Sequence, residues 1–270
     1  MARKPRLLTA LAMPLCGLTL SAAFAQDDST FSEYREMFGD DNPAVFVIDE
    51  GAAIWSEARG PNEVSLEQCD LGLGPGKMEG AYAQLPRYFE DADRVMDLET
   101  RLIHCMVELQ GFDRDEITAD PYSGRGETDS TLEALAAYVA SESEGKTIDI
   151  PQSHPAEKQA YTAGEALFWH RAGPYDFACA TCHRQDDKRV RLQDLPNLTT
   201  AEGARSSYPD WPAYRISQGV VRTMEWRMRN CMRQQRLPML KVGSEAAVSI
   251  ITYMGVNANG GTMAAPGLKR

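Results

Sequence analysis

The chain has 270 residues, 43% of them hydrophobic, with 28 Lys and Arg against 39 Asp and Glu, for a formal charge of −11. A surface this acidic excludes nucleic acid as a partner unless a strong local patch opposes it. Beyond the N-terminus no apolar run approaches the roughly 20 residues of a spanning helix, so no membrane segment is predicted.

At the N-terminus Arg3, Lys4 and Arg6 precede an apolar stretch from Leu7 to Leu20, closed by Ala23-Phe24-Ala25. That order is a secretory signal, residues 1–25, with an A-x-A cleavage site. Cys16 leaves with it. The signal carries three basic and no acidic residues, so its removal takes the formal charge from −11 to −14. What remains, about 245 residues, fits one large domain or two of ordinary size. Export places the five other cysteines, Cys69, Cys105, Cys179, Cys182 and Cys231, in an oxidising compartment.

In chain order, apolar residues recur at three- and four-residue spacing over 80–90, 94–111, 130–144, 156–171, 210–233 and 243–257. This predicts helices there and a mainly α fold. Thr131, ahead of Glu133, and Ser244, ahead of Glu245, are the predicted helix starts. Gly-, Pro- and Asp-rich segments at 112–129 and 184–209 read as long loops, of the kind that function or wrap a cofactor. Gly145, Pro151 and Pro155 mark 145–155 as the boundary between domains 26–150 and 151–270.

One pattern occurs in both halves. Glu99-Thr-Arg101-Leu-Ile-His-Cys105-Met106 and Glu225-Trp-Arg227-Met-Arg-Asn-Cys231-Met232 are both E-x-R-x-x-x-C-M, and each precedes an amphipathic stretch with a tyrosine, Tyr138 or Tyr253. Self-similarity at this spacing predicts a duplicated module. The alternative is coincidence between two ordinary helices.

Cys179-Ala-Thr-Cys182-His183 lies in the second half alone. Two thiols at this spacing followed by an imidazole read as a c-type haem attachment site, with two thioether bonds and His183 on the iron. The first half offers Cys69 without a partner thiol or a histidine nearby, which reads as a module that has lost its haem. Cys69 and Cys105 are then either joined in a disulfide or two free thiols. In either case Cys231 is left over.

Two residues compete for the far side of the iron. Met239, in Leu237-Pro238-Met239-Leu240, is the usual type of ligand on a loop after the haem and would make a high-potential electron carrier. His104, His154 and His170 are further options that read more simply as surface or core residues, and Met224, Met228, Met232 and Met254 as core. Cys231 is the competitor. Seven basic residues, Arg215, Arg222, Arg227, Arg229, Arg233, Arg236 and Lys241, surround it against the single acid Glu225. Nearby guanidinium groups favour thiolate, so a lowered Cys231 pKa is expected. On a helix Arg227 shares a face with Cys231. A basic face can equally be a solvated surface or a dock for an acidic partner.

These residues resemble the SoxA family, the catalytic cytochrome subunit of the sulfur-oxidising SoxAX complex, an L-cysteine S-thiosulfotransferase. The resemblance also takes in Gly80-Ala-Tyr-Ala-Gln-Leu-Pro-Arg-Tyr-Phe89, Met96-Asp-Leu-Glu-Thr-Arg-Leu102, Gly243-Ser244 and Ala265-Pro-Gly-Leu-Lys-Arg270. It implies two cytochrome c-like domains, the first without haem, and one covalently bound haem c per chain on Cys179 and Cys182, with His183 as an axial ligand. It further implies a Cys69–Cys105 disulfide, Cys231 as both the second axial ligand and a catalytic persulfide, and Arg227 as the substrate-binding residue. The implied partners are thiosulfate, a small SoxX-type cytochrome c in a heterodimer, and a SoxYZ-type sulfur carrier, all in the periplasm. The rival readings are a plain periplasmic electron-transfer cytochrome with Met239 on the iron, and a docking subunit whose haem is structural.

Overall fold

A computed structural model describes residues 42–190 and 193–270; the expected signal peptide and Cys16 lie outside the described residues. The first element is a helix that the periodicity did not single out, α1 (Ala44–Ser56). A hairpin of β1 (Arg87–Phe89) and β2 (Arg94–Met96), with Tyr88 opposite Val95, leads into α2 (Leu98–Glu108). The half closes with α3 (Arg114–Ala119) and α4 (Thr131–Ser141).

The second half repeats the scheme. It runs α5 (Pro155–Trp169), α6 (Cys179–His183), β3 (Lys188–Val190), β4 (Gln193–Leu195) and α7 (Ala201–Arg205). A hairpin of β5 (Ala213–Arg215) and β6 (Val220–Arg222) leads into α8 (Met224–Gln235), then α9 (Glu245–Asn257). The last strand, β7 (Gly267–Lys269), adds in parallel to β5, giving the order β6-β5-β7. Hairpin and following helix recur at the 126-residue spacing that separates Glu99 from Glu225. A cis X-Pro peptide precedes both β1–β2 and β5–β6, at Leu85–Pro86 and Trp211–Pro212. The duplication is thus in the backbone as well as in the motif.

The helices expected over 80–90, at the start of 94–111 and over 210–223 are instead single turns and hairpins. Pro86 and Pro212 lack a donor and bias the residue before them away from helix. The turns take positive φ at Asp93 (47°) and Gly219 (73°), and Val95, Val220 and Val221 suit strands. The two segments read as loops carry α3, β3, β4 and α7. Ser130, one residue ahead of the expected start, caps α4: its Oγ accepts from Glu133 N while Glu133 Oε2 accepts from Ser130 N, a capping box. Ser244 caps α9 through Ala247 N.

In both halves the first and last helices cross through a glycine, α1 on α4 and α5 on α9. A Cβ on Gly51 would meet the Ala134 carbonyl oxygen at 2.1 Å, and one on Gly164 that of Ser249 at 1.9 Å. The crossings therefore require glycine. Tyr138 and Tyr253 flank these contacts, so the shared tyrosine marks the same crossing in each half. One continuous core includes Leu102, Ile103 and Leu135 with Phe168, Ile250 and Tyr253. Among the described residues no helix is long and apolar enough to cross a membrane.

Cys69 and Cys105 are joined, Cα to Cα 5.7 Å, and both are buried. The bond closes a loop of 36 residues, for which loop-closure entropy gives about 4 kcal/mol. A Cys69→Ala/Cys105→Ala variant is expected to lose ~3–4 kcal/mol in urea unfolding; a loss below ~1 kcal/mol would contradict this role.

Three carboxylates meet where the halves join. Asp97, Glu99 and Glu225 are buried with ligand oxygens within 4.8 Å of one another. Thr223 Oγ1 and Tyr122 Oη donate to Glu99 Oε1, and Glu225 N donates to Oε2. Burial first, then the Asp97 charge, push the Glu99 carboxyl up to about 8. A carboxyl whose pKa is raised by folding contributes fully below its ordinary value of 4.5, and that contribution is lost as pH rises toward about 8. The denaturation midpoint is therefore expected to fall across this window, and Glu99→Gln to flatten the fall. Identical pH profiles for parent and variant would contradict it.

Candidate functional site

The haem-attachment sequence forms the short helix α6. Ala178 N donates to Thr181 Oγ1 at 2.9 Å, which fixes the turn and sets Cys179 and Cys182 on one side of it. His183 Nδ1 lies 3.0 Å from the Pro196 carbonyl. A carbonyl only accepts, so Nδ1 carries the proton and Nε2 keeps its lone pair for a metal. Leu198 N donates to His183 O at 2.9 Å and ties the following loop to the same histidine. Burial, and secondarily the Arg227 charge, lower the His183 pKa against the opposing Pro196 contact.

Cys231 lies in α8 and reaches the same place. Cys179, Cys182 and Cys231 are all half-buried free thiols. Burial and then the Cys231 charge push Cys179 up to about 12, and Cys231 in turn responds to Cys182 and to Arg227. Thiols about 50 residues apart in sequence thus share one neighbourhood, with Arg227 acting on both Cys231 and His183.

The expected lowering of the Cys231 pKa is overturned. Burial raises it, and that outweighs the opposing pull of Arg227. The other basic residues do not act on the thiol. Arg222 is buried and donates to Glu133 Oε1 and Ser123 O while lying 4.5 Å from the Trp226 ring. Arg229 donates to the Leu240 carbonyl, Arg233 to Asn230, and Arg236 lies over Tyr175. Lys241 is exposed. Most of the basic run is structural.

Among the rival ligands, Met239 is 48% exposed at the surface. Met228, Met232 and Met254 are buried in the core and Met224 packs against it. His154 caps α5 and stacks on Tyr88, His104 faces Asp91 at 3.7 Å, and His170 ends α5.

Sequence reasoning passed over Glu225 as a lone acid in a basic run. Both of its oxygens accept from Gly243 N, tying the loop that carries Met239 and Lys241 back to the first turn of α8. Its recurrence as the first residue of the repeated motif was the available signal.

The sequence matches the family described as SoxA/TsdA, cytochrome c domain, over residues 50–148 and 163–263, one stretch in each half. It is 45% identical over 272 residues to the L-cysteine S-thiosulfotransferase subunit SoxA of Hydrogenophilus thermoluteolus, covering 97% of this chain and 98% of the relative. The chain belongs to the SoxA family. A SoxA of Hydrogenobacter thermophilus is 33% identical over 84% of this chain and 82% of its own. In fold, the crystal structure of SoxXA from P. pantotrophus superposes with a TM-score of 0.71 over 90% of this chain and 84% of that one, at 24% identity.

A SoxA-family cytochrome c domain carries covalently bound haem c, and the residues of the second half fit that group. Two free thiols flank one helical turn, the imidazole has its Nδ1 already committed, and a third free thiol gathers beside them. The first half does not fit it. There Cys69 is bonded to Cys105.

Proposed function

We propose that this chain is the catalytic subunit of a periplasmic L-cysteine S-thiosulfotransferase that couples thiosulfate to a cysteine of a SoxYZ-type carrier protein. The observation that carries the reading is the half-buried free thiol of Cys231, with Arg227 and the Cys179–His183 helix around it. The domains are 26–150 and 151–270, with one haem per chain on Cys179 and Cys182.

Thiosulfate is a small dianion. The Arg227 guanidinium makes no hydrogen bond or ion pair among the described residues, so its fork is available for sulfonate oxygens through charge-assisted bonds. Held there, the terminal sulfur of thiosulfate faces the Cys231 sulfur. An S–S bond forms between them, the thiol proton leaves, and two electrons are released. A carrier thiol then attacks the sulfenyl sulfur, takes the thiosulfonate and returns Cys231 to the thiol. The two halves of the exchange balance, and division into two steps lowers each barrier. Haem c, which His183 and Cys231 would hold together with Cys179 and Cys182, would supply a one-electron outlet. Release of two electrons calls for a second acceptor, supplied by a SoxX-type cytochrome bound as a heterodimer. Cys231 carried as a persulfide would present its outer sulfur in the same place.

The purified complex, given thiosulfate, reduced carrier and a cytochrome acceptor, should transfer two electrons for every carrier cysteine that gains a thiosulfonate by mass. Blocking the carrier thiol should stop the reduction. Acceptor reduction that needs neither thiosulfate nor carrier would instead support a plain electron carrier with Met239 on the iron, a reading that the surface position of Met239 disfavours.

A further inference from the structure

The duplication supplies an internal control for the anion site. At the 126-residue spacing of the repeat, Arg101 corresponds to Arg227, Cys105 to Cys231, Phe89 to Arg215 and Asp91 to Ser217. The hairpins place Phe89 and Arg215 alike, each last in the first strand.

In the first half the arginine is fully engaged. Arg101 pairs with Asp91 at 2.8 Å, its Nε donates to the Asp70 carbonyl at 2.6 Å, and its guanidinium lies 4.1 Å from the Phe89 ring. It is a structural side chain beside a disulfide. In the second half two of these restraints are replaced. Serine stands in place of the carboxylate and a second arginine in place of the phenyl ring.

The result is two cations without anions. Arg227 has no hydrogen bond or ion pair among the described residues, and neither has the Arg215 side chain. The Arg215 Nε is wholly buried with no partner. A buried donor left unpaired is unfavourable, and the neighbouring Arg227 charge adds repulsion. Burial, then the Arg227 and Arg222 charges, hold Arg215 down at about 10. Arg222 is neutralised by Glu133; Arg215 and Arg227 are not. An arrangement this unfavourable in the free protein is relieved by an anion of two charges.

We infer that Arg215 is a second anion-binding residue of the site, closing with Arg227 on the sulfonate end of thiosulfate or of a similar doubly charged oxyanion. The inference rests on the reading of Arg227 and Cys231 given above. It explains why a buried donor is left unpaired beside Arg227.

The test is thiosulfate binding by calorimetry to the haem-loaded complex in a Cys231→Ala background, where coupling cannot proceed. Arg215→Met is expected to weaken binding about 10- to 100-fold, the worth of a charge-assisted hydrogen bond. Arg215→Lys should lose less, and the dependence of affinity on salt should be shallower in Arg215→Met than in its parent. With Cys231 intact, Arg215→Met should raise KM for thiosulfate by more than it lowers kcat. Arg227→Met is the control. If it weakens binding while Arg215→Met and Arg215→Gln stay within twofold of parent, this inference is overturned and the Arg227 reading stands. If neither arginine matters, both readings fail. Should Arg215→Met not fold, Arg215→Lys and Arg215→Gln decide: parental affinity and salt dependence in both overturn the inference.

Discussion

Cys231→Ser is expected to cut the rate of thiosulfate coupling to a carrier thiol by on the order of 10³-fold or more, the scale seen when a nucleophile is removed. Haem should remain covalently attached, because Cys179 and Cys182 lie on a different helix and are untouched. The reason for so large an effect is positional. Cys231 is the one thiol of the described residues that is free, close to Arg227 and outside the attachment motif. Serine preserves size, but its oxygen is a poor substitute for a polarizable sulfur in S–S bond formation and in metal ligation. Steady-state assay, with haem staining on a denaturing gel, checks both halves of the expectation. A variant that keeps more than a tenth of parental turnover would show that the reacting sulfur lies elsewhere.

The second large effect is on stability. Glu133 of α4 and Arg222 of β6 form an ion pair at 2.5 Å with both side chains buried, joining the first half to the second. Glu133 also accepts from Ser123 N, Ser123 Oγ and Ser130 N, and Arg222 donates to Gln218 and Ser123 O. Removing one partner leaves a charge in the interior, so Arg222→Met or Glu133→Leu alone should each cost about 3–5 kcal/mol in denaturant unfolding. The double variant should recover much of that loss, because no lone charge remains. Equal and additive losses in the double variant would show that the pair does not act as a unit.

Much of the fold was legible because its signals are local. The helices α2, α4, α5, α8 and α9 follow their apolar spacing, and the repeated E-x-R-x-x-x-C-M exposes the duplication. The hairpins were missed for a physical reason. Tyr82, Leu85, Val220 and Val221 supply apolar residues at spacings that fit a helix, while backbone changes at Pro86, Asp93, Pro212 and Gly219 send the chain into turns and strands. α1 escapes the periodicity because its start, Ala44-Val-Phe-Val-Ile48, is apolar at every position, a run that spacing alone does not assign to helix or strand.

The site divides differently. The attachment motif and the odd cysteine are chemical signatures and need no fold to be read. Charge is another matter. Seven basic residues in a row of sequence look like one field around Cys231, yet the fold gives Arg222 to Glu133, Arg229 to a carbonyl and Arg236 to an aromatic ring. Which guanidinium is free is a question of partners, and partners are set by tertiary structure. The same holds for the Cys231 pKa. Counting cations predicted a fall, whereas burial, invisible in the sequence, decides the direction.

The measurement that bears most directly on the central claim is the low-temperature paramagnetic spectrum of the oxidised complex, recorded for parent and Cys231→Ala. If the Cys231 sulfur stands opposite His183 on the iron, the parent gives a low-spin signal of the thiolate type, and the variant loses it. An identical signal in both proteins, or a methionine–sulfur charge-transfer band in the visible spectrum of the parent, would put Cys231 away from the iron and contradict the account.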